Sequence, residues 1–116
     1  MTKDRRLAGN FIYYDGKYWL VEHSDNELQG GAFFAVPIYF NEEQEAEVRH
    51  GGANWCYKAN GAFLRNPTKD VIVEAYQSHL KHLEWCKEMQ KDYRSDLERI
   101  NAEIDFYTKL SNEVPQ

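Results

Sequence analysis

The sequence predicts an α+β domain: a small antiparallel, aromatic-rich sheet of about five strands, with a short acidic helix and a long C-terminal helix. Three observations predict it. Two pairs favoured in tight hairpin turns, Asp15-Gly16 and Asn60-Gly61, each sit between runs rich in aromatic and β-branched residues. The long apolar run Ala32–Phe40 lies between them. Beyond Pro67 there is no Gly or Pro until Pro115, and apolar residues recur in alternating steps of three and four.

The first hairpin is the most constrained element. A two-residue type I′ turn at Asp15-Gly16 pairs Tyr14 with Lys17, Tyr13 with Tyr18, Ile12 with Trp19 and Phe11 with Leu20. Phe11, Tyr13, Tyr18 and Leu20 then share one face, and Ile12, Tyr14, Trp19 and Val21 share the other. Both faces are apolar, so one packs on the core and the other is covered or used. Residues 23–31 read as a loop ending in Gly30-Gly31. Ala32–Phe40 reads as a third strand, and Pro37 within it argues for an edge position or a bulge. Asn41 with Gln44 three residues on has the form of a capping box, which predicts a short helix running through Val48 and stopping at Gly51-Gly52. A second hairpin is expected from Trp55–Ala59 and Ala62–Arg65 around Asn60-Gly61.

Asn66 is a good N-cap, and Pro67 stands at the favoured first helical position. The seam of the helix that follows comprises Ile72, Tyr76, Leu83, Tyr93, Leu97, Ile100, Ile104 and Tyr107, with His79 and Cys86 in register. A straight helix of about 45 residues would be about 65–70 Å long, against a radius of gyration of about 13 Å for a compact domain of this size. Its seam would need a partner, so a homo-oligomer, a dimer first, is expected. The alternative is a break near Arg94, with Ser95 as a new N-cap and Glu98 closing a capping box, which folds the segment into a helical hairpin. Residues 1–66 and 67–116 form one folding unit in either case.

Charge and cysteine usage bound the function. Fourteen Lys and Arg against nineteen Asp and Glu give a net charge of −5, and neither half of the chain is basic, which argues against nucleic acid as a partner. No apolar run approaches the length of a membrane span, and no basic-then-apolar leader opens the sequence. Two cysteines make no disulfide framework, so the expected setting is a reducing cytoplasm with both thiols free.

The candidate chemistry is sparse. His50, Cys56, His82 and Cys86 would suit a structural zinc ion, because residues 79, 82 and 86 share one helix face and the second hairpin could pack on it. Their spacing matches no common finger pattern, so no metal and no cofactor is expected. Neither cysteine sits at a helix N-terminus, where thiol activation is easiest, and no motif marks an enzyme. Twelve of the seventeen aromatic rings lie in the β half. The expected function is therefore non-catalytic: an inhibitor or adaptor that docks on another protein through exposed aromatic and acidic surface. Small acidic proteins of this kind are often accessory or phage-encoded, an expectation of provenance that no residue carries. The alternative is a protein that holds a small nucleotide-like ligand between sheet and helix. For either, the binding residues are Tyr14, Tyr18, Trp19, Arg49, Trp55, Tyr57, Lys58 and Arg65. A docking protein would keep Tyr14 and Trp19 on an open face; a ligand binder would enclose aromatics and a cation in a pocket of several hundred Å³, on the order of those that hold small ligands.

Overall fold

The computed structural model describes residues 7–25, 31–90 and 94–114. The first hairpin forms in the expected register. Asp15 and Gly16 both adopt positive φ, 53° and 76°, as a type I′ turn requires. Strands β1 (Phe11–Tyr14) and β2 (Lys17–Asp25) pair Phe11 with Leu20, Ile12 with Trp19, Tyr13 with Tyr18 and Tyr14 with Lys17. The predicted division of faces holds as well. Phe11 and Leu20 join the core under the helices, while Ile12, Trp19 and Val21 belong to a second buried cluster.

Strand β3 (Ala32–Phe40) lies beside β2 and is central rather than at an edge, which corrects the reading of Pro37. Its far side is shared by two partners: β5 (Asn54–Tyr57) pairs with residues 32–35, and β4 (Ala46–Val48) pairs with residues 38–40. Pro37 falls in the gap between them. In an antiparallel strand the N–H and C=O of one residue point to the same side, and the Pro37 carbonyl accepts from Arg49 N on the β4 side. The missing donor therefore faces a place where no ladder bond is made.

Two further expectations are corrected here. Residues 41–48 form no helix, because the Asn41 carboxamide oxygen accepts from Glu43 N and Glu45 N and closes a turn that leads into β4. Side-chain capping of a turn and of a helix use the same atoms, and Ala46 and Val48 alternate onto the buried face. The second hairpin does not form either. Residues Lys58–Asn60 make a 3₁₀ turn and Gly61 is left-handed, but the short strand β6 (Phe63–Leu64) crosses to pair with β1. The sheet order is β4-β3-β2-β1-β6, with β5 on β3.

The C-terminal segment is a helical hairpin, not one long helix. Helix α1 (Lys69–Met89) starts after Thr68, whose hydroxyl accepts from Val71 N, so Thr68 is the cap rather than Asn66. Helix α2 (Arg94–Glu113) returns antiparallel to it, and the break expected as the alternative falls between them. The proposed Ser95 cap and Tyr93 lie outside the described side chains. The heptad seam closes on itself: Tyr76, Leu83, Ile100 and Tyr107 are buried together with Phe11, Leu20 and Val36 of the sheet, and Ile72 and Ile104 pack against them. Leu97 is half-buried. An antiparallel return satisfies a three–four spacing as well as a second chain does, so burying the seam requires no dimer. No helix among the described residues is long and apolar enough to cross a membrane.

Burial of the seam within one chain has a measurable cost when it is trimmed. Leu83→Ala and Ile100→Ala should each lower unfolding free energy by about 2–4 kcal/mol at any protein concentration, read from chemical denaturation followed by circular dichroism. A midpoint that moves with concentration would place the seam between chains instead.

Candidate functional site

Two places on the molecule gather functional side chains, one beside the start of α1 and one along its second half. The first is a cluster of imidazoles, and three pieces of local structure build it. A bulge in β2, where Val21 faces Ala35 and His23 already faces Phe34, leaves Glu22 as the extra residue on the helix side; bulges re-aim side chains in this way. Next, residues His50–Gly52 form a 3₁₀ turn directly after β4. Gly52 is needed there, since a Cβ would come 2.9 Å from Pro37 Cγ. Finally, α1 docks on the exposed edge of β4, with Glu74 Oε1 accepting from Ala46 N and Ser78 Oγ from Val48 N. That docking satisfies edge amides which would otherwise face water and sets His79 beside His50.

The result is compact. His50 Nε2 and His79 Nδ1 are 2.7 Å apart, and a carboxylate oxygen of Glu22 lies with both within 4.8 Å. His82 stacks on His50 with ring centroids 3.5 Å apart and planes 9° from parallel, and its Nε2 is 3.3 Å from Cys86 Sγ. Tyr107 of α2 closes the back, edge-on to His79 at 4.3 Å. A cavity of about 180 Å³ opens from the cluster, with Cys86, Gln90, Arg99 and Glu103 in its wall.

Burial governs the protonation of these groups. Desolvation, reinforced by His50 and His82, pushes His79 down to about 3, and desolvation with His82 pushes His50 down to about 4. His82 is lowered by burial too. Near neutral pH the imidazoles are therefore uncharged, with lone pairs available. Burial raises the Cys86 thiol, with Arg99 opposing and Glu103 reinforcing, the opposite of what a thiolate nucleophile needs. Cys56 does not join the cluster. It is fully buried in the second hydrophobic cluster, on the far side of the sheet, and burial raises its thiol to about 11.

The second place is a groove of about 550 Å³ between the turn end of the sheet and the start of α1. Tyr13, Tyr18, Tyr39 and Phe40 supply rings, Ile38, Pro67 and Val71 the apolar floor, and Lys17 a charge. The guanidinium of Arg65 sits over Tyr13 and Tyr18 at 5.2 and 5.7 Å, and that of Arg49 over Tyr39 at 4.2 Å. Neither arginine has a carboxylate within salt-bridge distance among the described residues.

The eight expected binding residues are thus divided. Tyr18 and Arg65 meet at the groove, with Arg49 beside it. Trp19 is only 6% exposed and donates its indole N–H to the Tyr14 carbonyl at 2.8 Å; Tyr14 leans on its ring, on the opposite face of the sheet. Trp55 packs with His23 and Phe34. Lys58 lies over Phe33, and Tyr57 is exposed. Glu22 is the residue that spacing alone missed, although strand alternation puts a carboxylate on the same face as the core residue Leu20. The comparisons add no relative: no family model, no curated protein and no solved structure matches the chain.

Because His50 and His79 charge far below their ordinary value of 6.5, the unfolded chain binds protons there before the folded one does. Stability is then full above about pH 7 and falls as pH drops from 6.5 through 4 and below. Denaturant melts in chelator across pH 4–7, within the range set by these groups, should show this decline, and His79→Gln should flatten it. An equally steep decline in that variant would assign the protons elsewhere.

Proposed function

We propose that this chain is a non-catalytic binding protein whose groove between the sheet and α1 takes a small organic anion with a planar apolar body, of the nucleotide class. The observation that carries this reading is the combination in one cavity of about 550 Å³ of aromatic walls and Lys17, with Arg65 seated on two of those rings. Rings offer stacking surface for a planar group, and a guanidinium with no carboxylate in salt-bridge distance among the described residues is suited to a phosphate or carboxylate. The volume is on the scale of pockets that hold small ligands. The net charge of −5 favours a small anion over a polyanion, since long nucleic acids need many cations along a groove. With both cysteines free, a reducing cytoplasm is the compartment we assign.

A second reading, docking on another protein, draws on a different observation. Phe63 and Leu64 of β6 are 49% and 50% exposed on an edge strand, where side chains and unpaired backbone can meet a partner. The burial of Trp19 takes away the open aromatic face from which that reading started, so the groove leads.

Calorimetric titration with a panel of nucleoside mono- and diphosphates at low salt tests the proposal. Saturable binding is expected, weakened at least about tenfold in Arg65→Ala and Tyr18→Ala and weakened by added salt. No binding by the unaltered protein, or equal binding by both variants, would remove the groove as the site.

A further inference from the structure

We propose that Glu22, His50 and His79 form a binding site for a divalent transition-metal ion of the zinc class, separate from the groove. The three side chains come from a strand bulge, a 3₁₀ turn and a helix, and one ligand atom from each lies within 4.8 Å of the other two. Residues so far apart in sequence meet only because three independent local devices aim them at one point. Two imidazole nitrogens and one carboxylate oxygen are a donor set that suits zinc and its neighbours in the first transition row, with a further position left open.

The geometry needs little adjustment. Nitrogen ligands about 2.0–2.1 Å from a tetrahedral zinc ion stand about 3.3 Å from each other. His50 Nε2 and His79 Nδ1 are 2.7 Å apart, so an opening of about 0.6 Å would seat an ion between them. His50 lies in a turn after the strand edge and is half-buried, while His79 is only 2% exposed and backed by Tyr107, so the shift falls to His50. His82 stacks flat on His50 and orients its ring, as the outer neighbours of metal-binding histidines do.

Glu22, His50 and His79 all line the cavity. In the wall of that cavity the side-chain oxygen of Gln90 is buried without a hydrogen-bond partner among the described residues. A buried acceptor of this kind ordinarily has a donor, but Gln90 stands eleven residues beyond His79, about 16 Å along α1 at about 1.5 Å each, so it is a separate feature of the cavity and no part of the site. The site lies about 12 Å along α1 from the groove, eight residues at about 1.5 Å each from Val71 to His79, so the two are testable apart.

The test uses the full chain stripped with chelator and titrated with zinc, read by native mass spectrometry and calorimetry. One ion per chain is expected, together with a rise in melting temperature of several degrees at saturation. Glu22→Gln, nearly isosteric, and His50→Ala should each weaken binding at least about tenfold, with circular dichroism confirming the fold. Cys86→Ser should leave affinity within about twofold, and a cobalt-loaded sample should show visible absorption without a thiolate charge-transfer band. Absence of binding, zinc affinity unchanged in Glu22→Gln and His50→Ala, or a thiolate band lost in Cys86→Ser would each overturn the assignment, the last by moving the ion to His82 and Cys86.

Discussion

The arrangement hangs on one missing proton. Pro37 has no N–H to donate, so the outer edge of β3 cannot carry a single continuous partner. It carries β5 on one side of the gap and β4 on the other, with Arg49 N bonded to the Pro37 carbonyl between them. To pass from one partner to the other the chain must leave the sheet and re-enter it, and it does so in the turn His50–Gly52. His50 is therefore delivered by a backbone detour that a proline imposes. The detour also frees the outer amides of β4, which Glu74 and Ser78 take up. One covalent feature of β3 thus determines where α1 docks and which of its faces meets His50.

Around that anchor the acidic chain distributes its charges unevenly. Lys17, Arg49 and Arg65 are seated over aromatic rings at the turn end of the sheet, where cation–π contact holds them in place. At the other end the imidazoles are kept neutral by burial. The two ends offer opposite chemistry, cations for an anionic group at one and lone pairs for a cation at the other, on either side of a core that both helices and the sheet share.

Local signals in the sequence carry furthest where a turn and both its strands are adjacent in the chain. Asp15-Gly16 specifies its own hairpin, and the register and both faces follow without further information. Asn60-Gly61 offers the same signal, and Gly61 does take positive φ, but the strand after it finds a better partner in β1, some fifty residues earlier. Asn41 supplies a capping oxygen whether a helix or a turn follows, and Val48 was worth more on the sheet. The heptad revealed its period and concealed its partner. Of the imidazole cluster, helix spacing places His79, His82 and Cys86 on one face; His50 reaches them through the turn after β4 and not through the expected second hairpin, which does not form and leaves Cys56 on the far side of the sheet. Glu22 shares a face with Leu20 by simple alternation, but that the His50 turn and α1 come to the same place is a property of the tertiary fold that no local spacing carries.

The crossing of β6 to β1 also bears on the order in which the chain assembles. The β1–β2 hairpin and the α1–α2 pair close over short spans of chain, contacts of the kind that form within microseconds. Pairing Tyr13 with Phe63 instead closes a loop about fifty residues long, whose entropy must be met before the pair contributes anything. A two-residue strand offers little to offset it, so β6 belongs to the late steps of folding and to the first steps of opening. The sheet edge that carries Phe63 and Leu64 is in this sense a clasp, and its opening would expose β1 while both helices stay in place.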